Sequence, residues 1–176
     1  DRVYAAGTGG SKAWAIGGAQ STIAALADSA ATVVADGDTI WVGGGTFRIS
    51  ATIAPTTHGA MTYLYGDTDG SKTGDAGEVI VTAYATNDTT APSAISVFTF
   101  ASKNNWTVGL LTMVGGTASV VTISGTSATI VLQDCLIWAQ PLRVGVQVLS
   151  VTWGTVTALT VQRCRVYSPQ QAAISI

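Results

Sequence analysis

From Ser96 to Ile176 apolar and polar residues alternate in short bursts that superpose without sharing letters. Val97-Phe98-Thr99-Phe100, Val120-Val121-Thr122-Ile123, Gly145-Val146-Gln147-Val148 and Ala173-Ile174-Ser175-Ile176 overlay at shifts of 23, 25 and 28 residues (98 to 121, 121 to 146, 146 to 174). In each, the second and fourth residues are apolar and the one between them is polar, the period-2 pattern of a strand with one wet face. A second strand type runs between these. Trp106-Thr107-Val108, then Leu111 and Met113, overlays Ile130-Val131-Leu132, then Cys135 and Ile137, and next Leu159-Thr160-Val161, then Cys164 and Val166, at shifts of 24 and 29 (106 to 130, 130 to 159). Two strand types recurring in phase predict a solenoid, in which each turn buries its inward face only by stacking on its neighbours. Phe98, Val121, Val146 and Ile174 are then expected to share one interior column.

Earlier in the chain, Arg2-Val3-Tyr4-Ala5 reads as a short strand. Ser21 to Val34 is the one stretch with helical spacing: Ile23, Leu26, Ala27, Ala30 and Val33-Val34 share a side, and Ser21 can cap its start. A helix placed before a stacked sheet would cover the apolar end and open edge of the first turn. The expected division is therefore residues 1–36 as an N-terminal strand and capping helix, and 37–176 as about five turns of stacked strands. Ile174 and Ile176 open a sixth turn, so the stack is expected to continue past Ile176 or to be covered there by another subunit.

In Gly37-Asp38-Thr39-Ile40-Trp41-Val42-Gly43-Gly44-Gly45-Thr46-Phe47-Arg48-Ile49, Ile40 and Val42 are expected to point inward, the glycines to turn a corner, and Phe47 and Ile49 to begin the next face. Together with the preceding helix and the later Leu64-Tyr65-Gly66-Asp67 step, this stretch resembles the opening turn of right-handed parallel β-helix proteins of the pectate-lyase-like superfamily. The resemblance implies an all-β, right-handed, single-stranded parallel β-helix. That superfamily spans lyases, hydrolases, adhesins and viral spikes, so it does not by itself imply an activity.

Composition narrows the field. Only 10% of the 176 residues are charged, 47% are apolar and the net charge is −2, which provides no basic footprint for nucleic acid or anionic membrane. No apolar run reaches the roughly 18 residues of a membrane span. Short Thr, Ser, Ala and Gly side chains carry the surface, as suits an extracellular or virion-surface protein. Cys135 and Cys164 fall at equivalent positions of successive turns. A disulfide is sterically possible there, and a reduced pair packed as small hydrophobes is the expected state.

Candidate chemistry is sparse. Asp67, Asp69, Asp75 and Glu78 form the densest carboxylate cluster and are the candidate calcium ligands, against the plainer reading of a solvated loop. No other cofactor is expected. Asp134 overlays Arg163 one turn on, which reads as a surface ion pair. His58 is the only histidine and reads as an exposed loop residue, and Trp106 reads as core. If Ile137 and Val166 point inward, Trp138 and Tyr167 point outward on adjacent turns, and Trp41 does so in the first. These three are the candidate residues for a glycan or a subunit interface. No catalytic residue is assigned. The pattern points to a non-enzymatic structural or attachment protein: a virion fibre, tail spike or decoration component, or a secreted adhesin. Homo-oligomers are expected, trimers being common among the spikes it resembles, and a surface polysaccharide is a possible partner. The competing class is a carbohydrate-active enzyme, a polysaccharide lyase or glycoside hydrolase, using the Asp67 to Glu78 loop.

Overall fold

A computed structural model describes residues 2–5, 36–49, 51–84, 94–115, 118–139, 148–152, 156–167 and 174–175. The described part is all-β. Its strands are β1 (Arg2–Ala5), β2 (Thr39–Gly43), β3 (Gly45–Arg48), β4 (Thr62–Asp67), β5 (Val79–Thr82), β6 (Phe98–Ala101), β7 (Asn104–Gly109) and β8 (Thr112–Gly115). They continue with β9 (Val121–Ser124), β10 (Ala128–Gln133), β11 (Leu136–Ala139), β12 (Leu149–Val151), β13 (Leu159–Gln162), β14 (Arg165–Tyr167) and β15 (Ile174–Ser175). The expected helix from Ser21 to Val34 lies outside the described residues.

Every strand pairing is parallel, and the strands fall into three sheets. Sheet A runs β1-β2-β4-β7-β10-β13, sheet B β3-β5-β8-β11-β14 and sheet C β6-β9-β12-β15. From β4 onward the chain visits A, B and C in strict rotation. Ile53 supplies an earlier contribution to sheet C through a parallel bridge to Phe98. β1 pairs with β2 and so occupies the edge of sheet A.

The register follows the apolar pattern because a slip of one residue would turn every inward side chain to solvent. In sheet A, Ile40 pairs with Leu64, Leu64 with Val108, Val108 with Leu132 and Leu132 with Val161. In sheet B, Phe47, Val81, Met113, Ile137 and Val166 align in succession. Both expected shifts of the second strand type, 24 and 29, are therefore present. Residues from all three sheets meet in one buried apolar cluster that includes Ile40, Phe47, Ile53, Phe98, Trp106, Met113 and Leu132. Fully burying a side chain of this size contributes about 1.5–3 kcal/mol. Phe98 and Phe100 face the same way, with rings 5.9 Å apart and nearly parallel.

One overlay is corrected. In sheet C, Val121 pairs with Leu149, not with Val146, and Leu149 pairs with Ile174. The column is Ile53, Phe98, Val121, Leu149 and Ile174. The shifts become 28 and 25 (121 to 149, 149 to 174). Val146-Gln147-Val148 and Leu149-Ser150-Val151 alternate equally well, but Val148-Leu149-Ser150-Val151 also reproduces the leading valine of Val97-Phe98 and Val120-Val121. That leading valine is buried before all three strands, and the Val121 amide donates to the Val148 carbonyl as the Phe98 amide does to the Val120 carbonyl.

The corners between sheets A and B share a conformation that composition did not announce. Leu110, Asp134 and Arg163 have φ of 58°, 53° and 51°, all left-handed, and lie at the same two shifts as the strands before them. Each follows the last residue of a sheet A strand and redirects the chain into sheet B. In the neighbouring strand the residue aligned with Leu110 is Gly66, still within β4, where a Cβ would lie 2.2 Å from the Leu110 carbonyl oxygen, so only glycine lets β4 approach the Leu110 corner.

Candidate functional site

The outward face of sheet A carries the most developed side-chain array. Alternation along β2 and β4 buries Ile40, Val42, Thr62 and Leu64 and turns Trp41, Tyr63 and Tyr65 outward. Register places Trp41 beside Tyr65, then Gly109, Gln133 and Gln162 on successive strands. The Trp41 and Tyr65 rings are 5.5 Å apart at 43°, and those of Tyr63 and Tyr65 are 5.8 Å apart at 33°. Lys72 Nζ stands 5.6 Å from the centre of the Trp41 ring, a cation–π distance.

Tyr65 leans over Gly109, where a Cβ would come within 2.6 Å of its ring. That approach lets Gln133 Nε2 donate to the Tyr65 hydroxyl at 3.1 Å, while Gln162 Nε2 donates to Gln133 Oε1 at 2.9 Å. An aromatic cluster thus passes into an amide ladder along one column. Burial first, then the neighbouring Tyr63 and Asp134, push the Tyr65 phenol above its ordinary range. The Trp41 indole Nε1 is buried with no hydrogen-bond partner.

The three candidate aromatics belong to two different sheets. Trp138 and Tyr167 pair on β11 and β14 of sheet B, with Trp138 half-buried and Tyr167 57% exposed. Trp41 belongs to the sheet A array with Tyr63 and Tyr65. The signal in the sequence that points to both tyrosines is the alternation of Thr62 to Tyr65.

The loop after β4 is built on Asp67, which is 2% exposed. Its Oδ2 accepts from the amides of Lys72 and Thr73 at 2.9 and 2.5 Å and from the Thr73 hydroxyl at 2.8 Å. The loop then docks on the glycine corner: the Gly44 amide donates to the Asp75 carbonyl and the Gly45 amide to the Glu78 carbonyl, both at 2.9 Å. Asp69 accepts from the Ser71 amide, and hydrogen bonds from Ser71 hold its carboxyl below the ordinary range. Glu78 accepts from the Thr112 hydroxyl at 2.5 Å. Among the described residues no group of three or more His, Cys, Asp or Glu side chains is placed to hold a metal ion. The role the geometry gives Asp67 is that of the loop's anchor.

His58 also departs from expectation. It is buried, at 5% exposure, with Nδ1 2.9 Å from Asp36 Oδ1 and its ring edge-on to Trp106 at 5.1 Å. The Asn105 side-chain amide donates to the His58 carbonyl at 2.7 Å. Asp36 is 22 residues away and Asn105 is 47, so short-range spacing could not reveal either partner. The hydrogen bond to His58, then that from the Gly59 amide, holds the Asp36 carboxyl below its ordinary range. A carboxylate on Nδ1 orients an imidazole as a base at Nε2, but here Nε2 is buried without a hydrogen-bond partner. The dyad fastens its loop to Trp106.

The ion pair between Asp134 and Arg163 is present and bidentate, with Nε to Oδ1 at 2.6 Å and Nη2 to Oδ2 at 2.7 Å. The guanidinium holds the Asp134 carboxyl below its ordinary range. Among the described residues no helix is long and apolar enough to cross a membrane.

Compared with known proteins, the chain matches no family model, no curated protein and no solved structure.

Proposed function

We propose that this chain is a structural or attachment protein whose three parallel sheets wind as a right-handed parallel β-helix, and that it presents an outer face for recognition without turning over a substrate. The resemblance to pectate-lyase-like β-helix proteins supports the winding, and so does the rotation of the chain through sheets A, B and C. The observation that carries the role is the sheet A column from Trp41 through Tyr65 to Gln133 and Gln162. It offers ring faces and amide groups on rigid strands, the combination that suits sugar rings and hydroxyls. Carboxylates that an enzyme would keep available are engaged in holding the chain: Asp67 by Thr73, Glu78 by Thr112, Asp134 by Arg163 and Asp36 by His58. The setting we infer is a virion fibre, tail spike or decoration component, or a secreted adhesin, assembled as a homo-oligomer.

The test is binding to arrays of neutral and acidic polysaccharides, with product analysis on the same samples and sedimentation to read assembly. Trp41→Ala with Tyr65→Ala should abolish glycan retention. Trp138→Ala with Tyr167→Ala, on sheet B, should reduce self-association. Depolymerised glycan that disappears in Asp67→Asn and Asp75→Asn variants that remain folded would overturn the reading in favour of a carbohydrate-active enzyme.

A further inference from the structure

Cys135 and Cys164 are adjacent steps of one corner column. Gln133 pairs with Gln162 before them and Leu136 with Arg165 after them, so two residues separate the paired strands on each side and the cysteines fall opposite each other. Backbone hydrogen bonds hold this alignment through the corner: the Asp134 amide donates to the Gln162 carbonyl at 3.1 Å and the Arg165 amide to the Cys135 carbonyl at 2.8 Å. The preceding residues, Asp134 and Arg163, share the same left-handed φ and are joined by their ion pair, so the two corners run in parallel. Adjacent strands lie about 4.8 Å apart, within the roughly 4.4–6.8 Å separation of Cα atoms that a disulfide spans. Both thiols are free, Cys135 buried and Cys164 partly open to solvent.

We propose that Cys135 and Cys164 form a reversible thiol–disulfide site in which the accessible Cys164 attacks a small-molecule disulfide and the buried Cys135 resolves the product. The Cys164 thiolate attacks one sulfur of R–S–S–R, forming the mixed disulfide and expelling one thiolate. The Cys135 thiol gives up its proton and attacks Cys164 Sγ, expelling the second thiolate. Two protein thiols are oxidised to one disulfide, and the reagent is reduced by two electrons to two thiols. The local electrostatics favour this division of labour. The Cys135 thiol hydrogen-bonds to Cys164 and lowers it to about 6, whereas that pairing and burial push Cys135 up. The charged groups facing the pair are Asp134, which opposes the thiolate, and Arg163. Oxidation would tie the circuit from β11 to β13 at its beginning and its end.

The experiment treats the full chain with oxidised glutathione at neutral pH, followed by intact mass and peptide mapping. The wild type should lose the mass of two hydrogen atoms, keep no adduct, and recover on reduction. Cys135→Ser should accumulate the glutathione adduct at Cys164. On the reduced wild type, iodoacetamide should alkylate Cys164 at least about tenfold faster than Cys135, a readout that needs no variant. A persistent adduct on the wild type, a disulfide between two molecules, or equal alkylation of the two cysteines would each overturn the proposal.

Discussion

The indole Nε1–H of Trp106 donates to the carbonyl oxygen of Thr56 at 2.5 Å, so a residue at the centre of the core also secures the segment carrying His58. Trp106 is fully buried and pairs with Thr62 on one side and Ile130 on the other. Trp106→Ala should cost about 3–5 kcal/mol, the range for removing a large core aromatic. Trp106→Phe keeps much of the packing but leaves the Thr56 carbonyl without that donor. Urea denaturation of the Trp106→Ala and Trp106→Phe variants should show the Trp106→Phe loss to be the smaller.

Gly66 and Gly109 are both tight, for different reasons. A Cβ at Gly66 meets the backbone carbonyl of Leu110, whereas one at Gly109 meets the Tyr65 ring. Gly66→Ala should therefore destabilise by about 1–3 kcal/mol, since β4 and the Leu110 corner must separate. Gly109→Ala should cost less, because the tyrosine can swing out. It should break the Gln133 bond to the Tyr65 hydroxyl instead, visible as a changed tyrosine resonance and reduced glycan retention.

Leu110 holds a left-handed φ of 58° while 37% exposed, a conformation that asparagine and glycine adopt more readily than leucine. Leu110→Asn should raise stability by about 0.5–1 kcal/mol, and Leu110→Val, β-branched, should lower it. Shifts of the denaturation midpoint at constant m-value check both.

Acid should unfold the protein late. Asp36, Asp69 and Asp134 all have folded-state pKa values below 3.8, so the stability they supply is complete above that value. It is lost as pH falls through the lower, folded-state values. A thermal midpoint followed downward from neutral pH should hold until the carboxylate range is reached and then drop. In Asp134→Asn that drop should be shallower.

How much of this was legible in the chain depends on the distance over which each signal acts. Periods of two residues and phases of 24 and 29 are written locally, which is why the stacking of Trp106, Ile130 and Leu159, the ion pair of Asp134 with Arg163 and the alignment of the cysteines could be read. The slip from Leu149 to Val146 came from two windows of equal alternation three residues apart, distinguished only by the buried valine that precedes the right one. Left-handed corners at Leu110, Asp134 and Arg163 left no glycine to mark them. The fixing of His58 by Asp36, and the closing of the Asp67 loop on Gly44 and Gly45, arise from pairings made only once the sheets have formed.

Leu64 and Val108 are neighbours across sheet A although 44 residues separate them, while Ile40 and Leu64 are neighbours at a separation of 24. Spacing between rungs is thus indifferent to how much polypeptide travels from one to the next. Residues added between Tyr84 and Ala94 should therefore leave the pairing of Leu64 with Val108 untouched, which makes that position a natural port for a grafted epitope.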